Sequence, residues 1–190
     1  MNSSMDTPGY TLLEVLIVMA LMAIASGIAL PGILNLVESS HKRTTITNLI
    51  SGFNLARTIA IQEGTSVTIC PLDIHGLCSR DWSKPIILFR DPDRTRQLRQ
   101  QNQILRTIGP PSTGRLTINT ANRRYFGYRA TGMARSAIGN IIWCPDNNMD
   151  TNAIQLRINM GGRLGHAQDR DGDGIVEGSD GQAITCTNDP

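Results

Sequence analysis

Aromatic residues are scarce in this chain, 4% of 190 positions, so a core built on stacked rings is excluded and Leu, Ile and Val must carry most of the burial. A dominant charge is lacking too. Lys and Arg number 18 against 16 Asp and Glu, a formal +2, and no global field marks the chain for nucleic acid. Catalytic signatures are missing: there is no G-x-S-x-G, H-E-x-x-H or P-loop, and His41, His75 and His166 are scattered, which points away from an enzyme. No internal repeat or low-complexity linker divides the sequence. Cysteine is present at Cys70, Cys78, Cys144 and Cys186 but never as C-x-x-C, which argues against a zinc ribbon or thioredoxin-like redox chemistry. Two disulfides formed in an oxidising compartment such as a periplasm are expected instead. Three pairings are open. The short Cys70–Cys78 link flanks a turn around Asp73 to Gly76, leaving Cys144–Cys186 as the partner pair, a long closure contributing on the order of 3 to 4 kcal/mol.

What the sequence does have is a charge-free run from Val15 to Val37. As a helix rising about 1.5 Å per residue it measures roughly 35 Å, long enough to cross a bilayer. A secretory signal has a shorter apolar core and a basic segment before it, and the region before this run contains no Lys or Arg. Glu14 stands at the edge of the run, where an ionised carboxylate requires a partner cation. After Glu38 the segment turns polar but keeps Ile46, Leu49, Ile50, Phe53, Ala56 and Ala60 at spacings of three and four. That pattern reads as the same helix, now amphipathic, ending at Gly64.

Beyond Gly64 short alternating runs replace the helical period. Strands are expected at 66–70, 85–90, 103–108, 115–119, 124–129, 140–144, 153–159 and 163–167. Asp91-Pro92-Asp93, Gly109-Pro110-Pro111 and Gly161-Gly162 separate some of them. Val67/Ile69, Leu116/Ile118, Ile141/Trp143 and Ile154/Leu156/Ile158 alternate with polar positions, as half-buried antiparallel strands do. The fold class is therefore α+β, a long N-terminal α-helix followed by an antiparallel β-rich head.

The sharpest chemical signal in the head is the stretch 169–180, which follows the D-x-D-x-D-G pattern of an EF-hand type loop. Asp169, Asp171 and Asp173 supply oxygen at positions 1, 3 and 5, and Gly174 permits the sharp turn. Ile175 offers its carbonyl, Glu177 acts through water, and Asp180 stands where a bidentate Glu is usual. So many carboxylates in so few residues repel one another without a cation, and Ca2+ is the expected cofactor.

The segment Gly9-Tyr10-Thr11-Leu12-Leu13-Glu14-Val15-Leu16-Ile17-Val18 resembles the class III signal of type IV prepilins. The resemblance implies cleavage after Gly9 by a prepilin peptidase and N-methylation of Tyr10. It also implies a Glu14 carboxylate that neutralises the N-terminal amine of a neighbouring subunit during assembly. Pro31 would mark the place where the helix bends or melts. Tyr10 stands where Phe is usual, and Asp6 is the only charge in the leader. The expected division is a leader at 1–9, a transmembrane and assembly helix at 10–37, an amphipathic helix at 38–63 and a β-rich head at 64–190. The expected partners are other pilin subunits, the prepilin peptidase and, before assembly, the inner membrane, with the head in the periplasm.

A second resemblance covers most of the chain. Leu55 to Ile61, Val67-Thr68-Ile69-Cys70, Trp82, Ile87 to Asp93, Ile104-Leu105-Arg106, Phe126 to Gly132 and Gly162-Arg163 look like the GspH/FimT-type minor pilins and pseudopilins. It implies a minor pilin that primes pilus assembly or sits near the tip. The alternatives are a type II secretion pseudopilin and a DNA-binding tip protein. In the DNA-binding relatives Gly-Arg-x-Arg contacts phosphate; here Gly162-Arg163-Leu164-Gly165 lacks the second arginine. Arg123, Arg124, Arg129 and Arg157 would have to converge with Arg163 to replace it, because phosphate binding draws on several cations together.

Overall fold

The computed structural model describes residues 11–120, 122–135 and 138–186, apart from the side chains of residues 28–35. The expectations for Gly9 and Tyr10, and for the Pro31 side chain, lie outside the described residues. The chain falls into two compact units, Met1–Ser40 and His41–Pro190.

Helix α1 runs Leu12–Gln62. Thr11 starts it: its Oγ1 accepts the Glu14 N–H at 3.2 Å and its carbonyl accepts the same N–H at 3.1 Å, an N-cap that satisfies donors the helix leaves open. In the first unit Leu12, Leu13, Leu16, Met19, Met22 and Ile24 are all exposed. A helix apolar on every face has no side suited to water. Among the described residues, no helix is long and apolar enough to cross a membrane.

In the second unit one stripe of α1 is buried. Ile46, Leu49, Phe53, Ala56 and Ala60 enter the main core, with Ile50 packed at its edge. The helix ends in a paired cap. Gly64 takes a positive φ of 60°, its N–H donates to the Ile61 carbonyl and the Thr65 N–H to that of Ala60, closing carbonyls that would otherwise be open. Arg90 then clasps Glu63 with both Nε and Nη2 at 2.6 Å. This hydrogen bonding to Arg90 is the main cause holding the Glu63 carboxyl below its ordinary pKa.

Eight strands follow among the described residues: β1 Val67–Pro71, β2 Ile86–Arg90, β3 Ile104–Ile108, β4 Arg115–Asn119, β5 Phe126–Tyr128, β6 Gly139–Cys144, β7 Ile154–Ile158 and β8 Leu164–His166. They form two four-stranded sheets, ordered β3-β2-β1-β5 and β4-β6-β7-β8, and every pairing is antiparallel. Both sheets meet the α1 stripe in one core, where Phe53 and Phe126 pack edge to face with centroids 5.3 Å apart.

Two strands depart from simple alternation. All of β1 is buried, including Thr68, and so is Gln155 in β7. Their second faces are covered. Thr68 lies under the loop after β2, its hydroxyl donating to Asp91 at 2.7 Å. The segment after β8 covers the other face of the second sheet, where Cys144, Ala153, Ile184 and Cys186 form a small core with Ile142, Ile175 and Val176.

Candidate functional site

The structure brings one set of acids together in the segment after β8. Asp169, Asp171, Asp173 and Glu177 each offer an oxygen, and these oxygens lie within 4.8 Å of one another. Short backbone bonds hold the loop in shape. The Asp169 oxygens accept the N–H groups of Gly172 at 2.7 Å and Gly174 at 2.9 Å, and Asp173 accepts that of Ile175 at 2.7 Å. Gly172 and Gly174 take φ of 82° and 88°, conformations glycine adopts without a Cβ clash.

The three aspartates are exposed, whereas Glu177 is only 5% exposed. Its Oε2 accepts the Arg170 N–H at 3.0 Å; its Oε1 is buried with no hydrogen-bond partner among the described residues. The ligand set is all oxygen and anionic, suited to a hard divalent cation such as Ca2+. Asp180 does not join this group. The chain reverses at once after Glu177: the Gly178 N–H donates to the Gln182 carbonyl at 2.7 Å, and Gly181 turns back onto Gly178. Asp180 instead accepts the Gln182 N–H at 3.2 Å.

Two disulfides fix the surrounding loops. Cys70 is bonded to Cys78 and Cys144 to Cys186. Inside the first, Asp73 accepts the N–H groups of Leu77 and His75, which hold its carboxyl below the ordinary carboxylate range, Leu77 contributing most. Cys186 is held three ways, by its sulfur, by its N–H donating to Asp150 and by Arg115 donating to its carbonyl.

The arginines singled out from the sequence do not all converge. Arg123 and Arg124 line an open groove of about 410 Å3 together with Arg80, Arg96, Asn122 and Tyr125. Arg157 lines a different cavity, with Asn119, Asn140 and Ser179, Arg129 lines a third that Arg123 also borders, and exposed Arg163 belongs to none of these linings. Arg80 escaped the sequence reading, because only the fold brings its loop, together with that of Arg96, to the 122–125 turn. Arg80 donates to both the Asn122 carbonyl and its Oδ1. The Arg96 and Arg135 guanidinium groups each lie 5.4 Å from the Tyr125 ring centroid, within cation–π range. Glu14 sits in the first turn of α1, where the helix dipole favours a negative charge.

Comparisons with known proteins agree with this architecture. The prokaryotic N-terminal methylation motif matches residues 7–30. Among solved structures, the type IV minor pilin FimU of Pseudomonas aeruginosa is 16% identical with a TM-score of 0.52, the match covering 80% of this chain and 98% of FimU. The minor pseudopilin EpsH from the type 2 secretion system of Vibrio cholerae is 10% identical with a TM-score of 0.46, covering 66% of this chain and 94% of that one. No curated protein sequence matches the chain significantly. The family model described as type II transport protein GspH matches residues 45–162, more than half of the 190 residues. The chain thus belongs to the GspH family.

Proposed function

We propose that this chain is a minor pilin, stored in the inner membrane through its 10–37 helix with residues 38–190 in the periplasm. A prepilin peptidase removes residues 1–9 and Tyr10 becomes the methylated N-terminus. The subunit then enters a type IV pilus, where it primes assembly or sits near the tip. The observation that carries the reading is the joint occurrence of a methylation motif over 7–30 and a GspH match over 45–162, one on each part of a long helix with a β-rich head. Glu14 supplies the register: an acid at the mouth of an apolar helix is tolerated when the amine of the next subunit neutralises it. Pro31 gives the helix a place to bend during packing.

Mass spectrometry of the protein recovered from cells should find Tyr10 first and methylated. A Glu14→Ala variant should insert in the membrane normally yet be reduced at least tenfold in sheared filaments. Equal incorporation rejects the register mechanism, and a mature N-terminus elsewhere than Tyr10 rejects the processing.

The family's description favours one further reading, a minor pseudopilin of a type II secretion system. Recovery in secretion-system filaments and not in surface pili would select it. DNA capture draws support from the groove in which Arg80, Arg96, Arg123 and Arg124 meet, since clustered cations bind phosphate together. The absence of any gel shift at low salt removes it.

A further inference from the structure

We infer that the 169–178 loop is a Ca2+ site closed by Glu177 as a direct ligand, not through water and not by Asp180, and that the ion locks the segment after β8 onto the second sheet. This goes beyond the assembly role and does not depend on it.

The first observation is the partnerless oxygen. A carboxylate buried to the extent of Glu177, with Oε1 left unbonded, is costly in any folded protein unless a cation or donor meets it. Three more acids converge on the same point and no donor among the described residues meets Oε1, whereas a metal ion there would. The second observation is metric. Four oxygens no more than 4.8 Å apart all fit within about 2.9 Å of a common centre, against Ca–O bonds of about 2.3 to 2.6 Å and Mg–O bonds of about 2.0 to 2.1 Å. A contraction of a few tenths of an ångström makes a calcium site. Magnesium would need nearly an ångström and a strict octahedron, which a loop pinned at Asp169 by two backbone N–H groups resists.

The position of Glu177 gives the ion its structural effect. Its N–H donates to the Gln168 carbonyl at 3.4 Å, and the Ile184 N–H donates to the Val176 carbonyl at 3.0 Å. Ile175, Val176 and Ile184 pack in the small core around Cys144–Cys186. Binding at Glu177 therefore ties the acidic loop to the face of the sheet, while the disulfide ties the far end of the same segment.

Arg170 provides the readout. It is exposed inside the loop, and no Lys or Arg follows it in the sequence, so trypsin cutting there frees one C-terminal fragment. That fragment stays attached through Cys144–Cys186 until reduction. Full-length protein in detergent micelles is digested in Ca2+, in Mg2+ and in chelator, with rates normalised to an unstructured peptide in each buffer. Cleavage after Arg170 should be at least tenfold slower in Ca2+ alone. Equilibrium dialysis with 45Ca should find one ion per chain in wild type and in Asp180→Asn, with affinities within about threefold, and at least a tenfold loss in Glu177→Gln. Should Glu177→Gln fail to fold, Asp171→Asn on the exposed rim replaces it with the same expected loss. No Ca2+ bound at 10 mM overturns the site. Binding lost in Asp180→Asn and kept in Glu177→Gln overturns the ligand assignment, and binding without protection at Arg170 overturns the lock.

Discussion

Replacing Asp91 by Asn should be among the most damaging single changes in residues 41–190, although it alters no volume. Asp91 is 3% exposed and its two oxygens take five donors: the Thr68 hydroxyl at 2.7 Å, the Thr95 N–H at 2.8 Å and hydroxyl at 3.4 Å, the Arg96 N–H at 3.1 Å and Arg135 Nη2 at 3.4 Å. Asparagine offers one acceptor oxygen, and its amide would point N–H groups at donors. The Arg135 charge, with 6% of its side chain exposed, would also lose its counter-charge. Breaking a buried pair this way costs about 3 to 5 kcal/mol, which for a head of this size lowers Tm by about 10 °C. Removing Arg135 should be milder. Its Nε and Nη1 already lack partners among the described residues, and in Arg135→Met the carboxylate keeps its other four donors, so the expected cost is about 1 kcal/mol. Thermal melts of the full chain in detergent, followed by circular dichroism, compare the two variants. A Tm for Arg135→Met as low as that of Asp91→Asn would refute the reasoning.

Two further outcomes follow from burial and connectivity. Burial pushes the Tyr128 hydroxyl up to about 12, with Arg57 opposing weakly, so the unfolded chain releases this proton first. Stability from this group is full below pH 10 and falls by about 2 to 3 kcal/mol as the pH rises to 12; Tyr128→Phe should flatten that slope in urea titrations, and an unchanged slope counts against it. Replacing Cys144 and Cys186 together by Ala should cost about 3 to 4 kcal/mol by loop entropy, measured by urea melts, and a loss below 1 kcal/mol would show that the segment after β8 is held without the bond.

Much of this architecture is legible in the sequence, because helix α1 and the strands are set by local periods. The stripe Ile46, Leu49, Phe53, Ala56 and Ala60 and the glycine that ends it are read directly from spacing, and each strand falls within a few residues of its expected bounds. Less legible is what covers a second face. Thr68 and Gln155 read as solvent positions by alternation, yet both are buried, since only the folded chain shows the 91–97 loop and the segment after β8 lying over them. The acidic loop shows the same division. Its first three ligand positions follow from chemistry within a few residues, while the tight turn from Gly178 to Gly181, set by the Glu177 to Ala183 bridge, carries the twelfth position away. Arg135, the partner of Asp91, gave no signal at all, since a lone arginine near a glycine turn looks like any surface residue.

The stripe on α1 has a practical consequence for anyone who trims the protein to obtain a soluble fragment. Since Ile46 and Leu49 are part of the core that both sheets share, a cut placed beyond them, for instance at Phe53, would strip the floor from under the β-layers and yield aggregated material. A start near His41 discards the greasy leading turns and keeps every side chain on which the two sheets rest.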